Sequence, residues 1–100
     1  MPHTHHVLHA RPGLYYPTRD EAPDLIVIHC TQGDMDRVHD YAYQPSASGV
    51  AGYFTSPKAK GSAHITVDDH EVWRSVWDHE TAYGAFGHNA NGLHVELCGF

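Results

Sequence analysis

The sequence predicts an α/β (α+β) domain: a small mixed β-sheet flanked by helices. Three observations carry that prediction. Asp24 to Thr31 is a short, nearly continuous apolar and β-branched run that follows Pro23, the pattern of a strand buried on both faces. Leu93 to Cys98 alternates, with Leu93, Val95 and Leu97 on one face and His94, Glu96 and Cys98 on the other. Between these two runs lie helical periodicity and a hairpin signal, so strands and helices interleave along the chain.

The elements follow in order. Residues 1–23 read as an extended N-terminal segment, because Pro12, Gly13, Pro17 and Pro23 break any regular period. Residues 24–100 read as the domain proper. After the first strand, Met35–Tyr43 suits a short helix. Ser46 to Thr55 suits a second, with Ser46 or Ser48 as its cap and Val50, Tyr53 and Phe54 as its apolar stripe. Pro57 and Gly61 stop it. His64–Val67 and Val72–Val76 then form two strands around Asp68-Asp69-His70-Glu71. Residues 78–91, rich in Gly, Ala, His and Asn, form a loop into the last strand.

Composition removes several classes of function. One hundred residues make one domain or part of one, with 41% hydrophobic and 18% charged residues. The formal charge of −6 leaves no basic stripe for duplex nucleic acid. Lys58 and Lys60 read as a solvated loop. No apolar run approaches the roughly 18 residues of a membrane span. The Met-Pro-His-Thr-His-His start lacks the basic and apolar regions of a signal peptide, so the expected location is the cytoplasm. Cys30 and Cys98 are expected to be small buried thiols. Eleven histidines form the outlying number. Four of them (His3, His5, His6, His9) crowd the start with the spacing of no closed zinc site, and are expected to belong to a frayed polar terminus.

Two residues stand out for chemistry. His29 ends a strand of apolar neighbours, where the backbone fixes the direction of a neutral imidazole. A lone histidine in such a place is more often hydrogen-bonded than metal-bound. Glu96 sits between Val95 and Leu97, where burial raises a carboxyl pKa towards the range useful for proton transfer. An edge-strand glutamate or a structural ion pair fits the same residues. Taken together, a His and a Glu ending two strands suit a metal ion, its polarised water and a nearby base.

Four segments in this order resemble the zinc N-acetylmuramoyl-L-alanine amidases of the type-2 group, which share their fold with peptidoglycan recognition proteins, and among them phage endolysin domains. They are Ile26-Val27-Ile28-His29-Cys30-Thr31, Gly49-Val50-Ala51-Gly52-Tyr53-Phe54, Ser62-Ala63-His64 with Ile65-Thr66-Val67-Asp68, and Asn91-Gly92-Leu93-His94-Val95-Glu96-Leu97-Cys98-Gly99. The resemblance implies a Zn2+ cofactor with His29 as a ligand and Glu96 as the catalytic carboxylate. It implies bacterial peptidoglycan as partner, and cleavage between N-acetylmuramic acid and L-alanine. Tyr83, Asn89 and Asn91 are the candidate substrate-binding residues. Acting as an endolysin, such a protein waits in the host cytoplasm before lysis.

Two departures concern the site. The family's Trp-His-Ala loop reads Tyr83-Gly84-Ala85 here, and a usual glycine of the glutamate strand is His94. A third concerns length. The family's second zinc histidine and its Asp or Cys ligand lie well beyond the glutamate strand, whereas this sequence stops four residues after Glu96. The expectation is an N-terminal portion of the domain, completed by a C-terminal segment or by a second copy. The rival readings are a non-catalytic peptidoglycan-binding module and a self-assembling fragment.

Overall fold

A computed structural model of the chain describes residues 3–19, 22–31, 46–84 and 89–98. In chain order its elements are β1 (Thr4–Val7), β2 (Tyr15–Tyr16), β3 (Leu25–Thr31), α1 (Ala47–Tyr53), β4 (Ile65–Val67), β5 (Glu71–Arg74), β6 (Thr81–Ala82) and β7 (Gly92–Cys98). Five strands form one sheet in the order β1-β5-β4-β7-β3, and β2 pairs with β6 in a separate two-stranded ribbon. The sheet is mixed: β7 runs parallel to β3 and β4, β4 is antiparallel to β5, and β1 is parallel to β5. The expected helix at 35–43 lies outside the described residues.

The hairpin and the helix are tied together by one carboxylate. Asp68 Oδ1 accepts from the backbone N–H groups of His70 at 2.8 Å and Glu71 at 2.7 Å, which closes the β4–β5 turn. Its Oδ2 accepts from Ala47 N at 2.9 Å, at the start of α1. Burial pushes this carboxyl up, but the three N–H donors outweigh it and hold Asp68 below the usual carboxylate range. Ser46 is the N-cap, its Oγ accepting from Gly49 N at 3.1 Å. The buried face of α1 is Ala47 and Ala51, continued by Phe54, while Tyr53 is exposed. Of the expected Val50–Tyr53–Phe54 stripe, Phe54 and Val50 reach the core and Tyr53 does not. Small alanines let the helix settle closely on β4 and β5, and the wider Tyr53 turns to solvent.

The core cluster is Ala10, Leu14, Phe54, Ala59, Ala63, Val76 and Ala82, with Tyr15 and Val50 packed against it. Two members come from the N-terminal segment, and the histidine-rich start is not a frayed terminus. β1 is an edge strand. His6 stacks on Trp73 with ring centroids 4.6 Å apart, and His3 Nε2 hydrogen-bonds Asp68 O at 2.8 Å. His9 Nε2 meets Glu80 Oε1 at 2.7 Å, and that carboxylate also accepts from Trp77 N. Backbone pairing and aromatic stacking recruit this polar segment without an apolar signal.

Two burial expectations are also corrected. β3 is the other edge strand and is not buried on both faces: Ile26 is 66% and Ile28 63% exposed. Cys30 is exposed and Cys98 half-buried, both as thiols. Their strands carry one apolar face that no described element covers.

Candidate active site

The register of the sheet decides which side chains meet. His6 pairs with Trp73, Trp73 with Thr66, Thr66 with Glu96, and Glu96 with His29. Partners in register point to the same face, so these five residues form one row across all five strands. His29 and Glu96 are therefore neighbours on one face, brought together from 67 positions apart in sequence by a parallel β3–β7 pair. The next row towards the strand starts holds Val27 and His94, again in register.

Burial raises the pKa of Glu96, and the neighbouring His29 imidazole opposes that rise. A carboxyl so placed is a better proton acceptor than a solvated one. Both residues are half-buried and within reach of solvent. Thr66 Oγ1, in the same row beside Glu96, is buried without a hydrogen-bond partner. Such an orphan hydroxyl costs about 1–3 kcal/mol, and Ser75 Oγ is a second one.

Behind this pair stands a line of histidines that sequence reasoning did not assign. His29 Nε2 lies 3.2 Å from His94 Nδ1, with the rings nearly parallel at 22°. The His94 ring lies in turn over His64 at a centroid distance of 6.0 Å and 10°. His64 and His94 are fully buried. The His94 backbone N–H donates to His64 Nδ1 at 3.0 Å, so the His64 proton sits on Nε2, which donates to Glu80 O at 3.0 Å. Burial lowers the pKa of His64, and the Arg19 and Arg74 guanidiniums lower it further against the Glu80 carbonyl. Arg19 also donates to the carbonyls of Asp78, Glu80, Ala90 and Gly92. That set of bonds fastens the loop leading into β7. The alternation of β7 put His94 on the Glu96 face; nothing in the sequence flagged Arg19.

The candidate substrate residues separate. Tyr83 is exposed beside Gly84, which packs against the His94 ring. Asn89 lies in the turn before β7. Asn91 donates to Asp24 Oδ1 at 3.1 Å and, through its carbonyl, accepts from Asp24 N at 3.0 Å, pinning the start of β3 to the start of β7. Five residue steps of extended chain lead from Asn91 to Glu96, about 16 Å. The structure does not bring Asn91 to the His29–Glu96 pair.

A catalytic zinc takes about three protein ligands and one open position. The half-exposed imidazole of His29, beside a desolvated carboxyl and an orphan hydroxyl, fits one such ligand. Among the described residues no three His, Cys, Asp or Glu side chains converge to hold a metal.

Known proteins agree with this architecture. A mutant endolysin from Bacillus subtilis superposes with a TM-score of 0.70 at 21% identity, covering 96% of this chain and 61% of that one. The catalytic domain of XlyA superposes with a TM-score of 0.68 at 22% identity, covering 93% and 60%. The chain thus spans about three fifths of the length of the solved structures it matches. No curated protein matches it. No helix among the described residues is long and apolar enough to cross a membrane. The profile described as N-acetylmuramoyl-L-alanine amidase matches residues 19–100, and the chain belongs to that family.

Proposed function

We propose that this chain is the strand-rich part of a peptidoglycan amidase that hydrolyses the bond between N-acetylmuramic acid and L-alanine, in the manner of a phage endolysin. The observation that carries this reading is the in-register pair of His29 and Glu96 on one face of the sheet, within a chain of the amidase family.

His29 is one ligand of a zinc ion whose other ligands lie outside the described residues. When bound, zinc supplies a Lewis acid and lowers the pKa of its water towards about 7. Glu96 takes a proton at its carboxylate from the attacking water. It holds that proton while the lactyl carbonyl carbon is attacked, then delivers it to the alanine nitrogen as the amine leaves. Desolvation suits Glu96 to this shuttle by bringing its affinity for a proton closer to neutrality. Tyr83, exposed next to the site, offers a ring for sugar or peptide to rest on. Asn89 and Asn91 act further back, with Asn91 fixing the strand register that aligns the pair.

The test measures zinc content and release of free L-alanyl peptide from purified cell wall, using a polypeptide that carries a full ligand set. Stoichiometric zinc with peptide release is expected. Full zinc occupancy without cleavage would replace the hydrolase by a wall-binding module.

A further inference from the structure

We propose that His94 is a positioning residue for His29, and that Gly84 is the residue that makes room for it. His94 Nδ1 accepts the Nε2–H of His29, which leaves Nδ1 as the His29 nitrogen offered to a metal. The assignment of the metal nitrogen rests on the zinc reading above; the pairing of the two rings rests on geometry alone.

Three observations converge. The first is the 3.2 Å approach of His29 Nε2 to His94 Nδ1, in which one ring is half-buried and the other fully buried. A metal-binding histidine almost always hands its second ring N–H to a fixed acceptor, which sets its tautomer and orientation. The second is the rigidity of that acceptor. His94 is tied to His64 through two backbone groups: its N–H donates to His64 Nδ1, and its carbonyl accepts from His64 N at 3.0 Å. His64 is itself braced against the Glu80 carbonyl. An acceptor held this way loses little freedom when it orients a neighbour.

The third is the space the ring occupies. A Cβ added at Gly84 would collide with Nδ1 and Cγ of His94 and stand 3.0 Å from its Cβ. The missing side chain at Gly84 therefore leaves the space that the His94 ring fills.

The experiment uses the chain with 15N-labelled histidine, first without metal. The wild type is expected to show a hydrogen-bonded imidazole proton on His29 Nε2, with a through-bond coupling to His94 Nδ1. His94→Leu fills the volume without an acceptor and should lose that proton. His94→Asn, whose side-chain oxygen falls near the Nδ1 position, should keep it. Zinc titration follows, in a polypeptide that carries a full ligand set: His94→Asn should bind like the wild type, and His94→Leu about 10–100-fold more weakly. Gly84→His alone should abolish the cooperative unfolding transition, and the Gly84→His/His94→Gly double variant should restore it.

Absence of the coupling in the wild type overturns the proposal, and that reading needs no variant to fold. An imidazole proton unchanged in His94→Leu, or equal zinc affinity in Leu and Asn variants, overturns it as well. A double variant no better folded than Gly84→His removes Gly84 from the pairing. Failure of the wild-type polypeptide with a full ligand set to bind zinc, with the proton pattern as expected, sinks the zinc reading and leaves the ring pairing standing.

Discussion

The two faces of the five-stranded sheet invert the usual arrangement. The row Val7, Arg74, Ile65, Val95 and Ile28 and the row His5, Val72, Val67, Leu97 and Cys30 form one face. It is mostly apolar, yet Val7, Ile28 and Leu97 are exposed. The opposite face carries Trp73, Thr66, Glu96, His29, His94 and His64, and Thr66, His64 and His94 are fully buried there. Burying polar groups is costly unless each finds a partner. A fold keeps such a face for chemistry, and keeps an apolar face for packing. The contrast teaches that the polar face is where single substitutions should do most damage.

The largest effect expected is on turnover. In a polypeptide with a full ligand set, Glu96→Gln should retain zinc and lower the rate of amide hydrolysis by about 10²–10⁴-fold, the usual worth of a placed general base. Metal analysis and peptide release read the two halves of that statement separately. A variant with near-normal turnover would remove Glu96 from the proton path and leave the polar face without its main justification.

Next come the faces themselves. His64→Ala removes a buried ring whose two nitrogens are both engaged, and should cost about 3 kcal/mol in urea unfolding. Ile26→Ser, on the exposed apolar face, should change stability by less than about 0.5 kcal/mol. Equal costs would abolish the contrast. The pH dependence has a fixed sign. The native pKa of His64 lies below its ordinary 6.5, so its contribution is complete above pH 6.5 and is lost as pH falls towards the native value. In an otherwise parallel pair of curves, His64→Ala should lack that acid-side fall.

How far the sequence spoke differs between these faces. The β-branched run of β3 and the alternation of β7 announced two strands, and the apolar face followed from them. Placing His29 beside Glu96 needed the parallel β3–β7 pairing, which strand patterns leave open because pairing is set by tertiary packing. The extent of burial on β3 is illegible for the same reason: an apolar run looks alike on an edge and in a centre. The N-terminal histidines carried no periodic signal, since β1 is held by backbone bonds and by His6 lying on Trp73. His94 was visible only as a departure, and its partner Gly84 as another. The contact between them is a fact of three dimensions.

A smaller effect is expected where the polar face meets α1. Asp68 accepts three backbone N–H groups, from the turn and from the first residue of the helix. Asp68→Ala should cost about 2 kcal/mol, the upper range for a capping carboxylate. Because the native carboxyl lies below its ordinary range, this contribution is present above the unfolded pKa and is lost as pH falls through the native value. A wild-type advantage that persists unchanged in acid would show that packing around Asp68 matters and its charge does not.

The smallest effect has the most telling sign. Glu96 has a pKa raised above 4.5 by burial, so the folded state resists its ionisation. Above about pH 4.5 that resistance destabilises the fold, and it grows until pH passes the native value. Glu96→Gln should therefore be more stable than the wild type at pH 8, by less than about 1 kcal/mol because solvent reaches and screens the group. Near pH 4 the two should converge. Groups that serve chemistry often cost stability in this way, whereas groups that serve packing do not. If thermal unfolding shows Glu96→Gln less stable than the wild type at pH 8, or equally displaced at every pH, the carboxylate is a structural partner of His29, and the polar face is held together by the same logic as the apolar one.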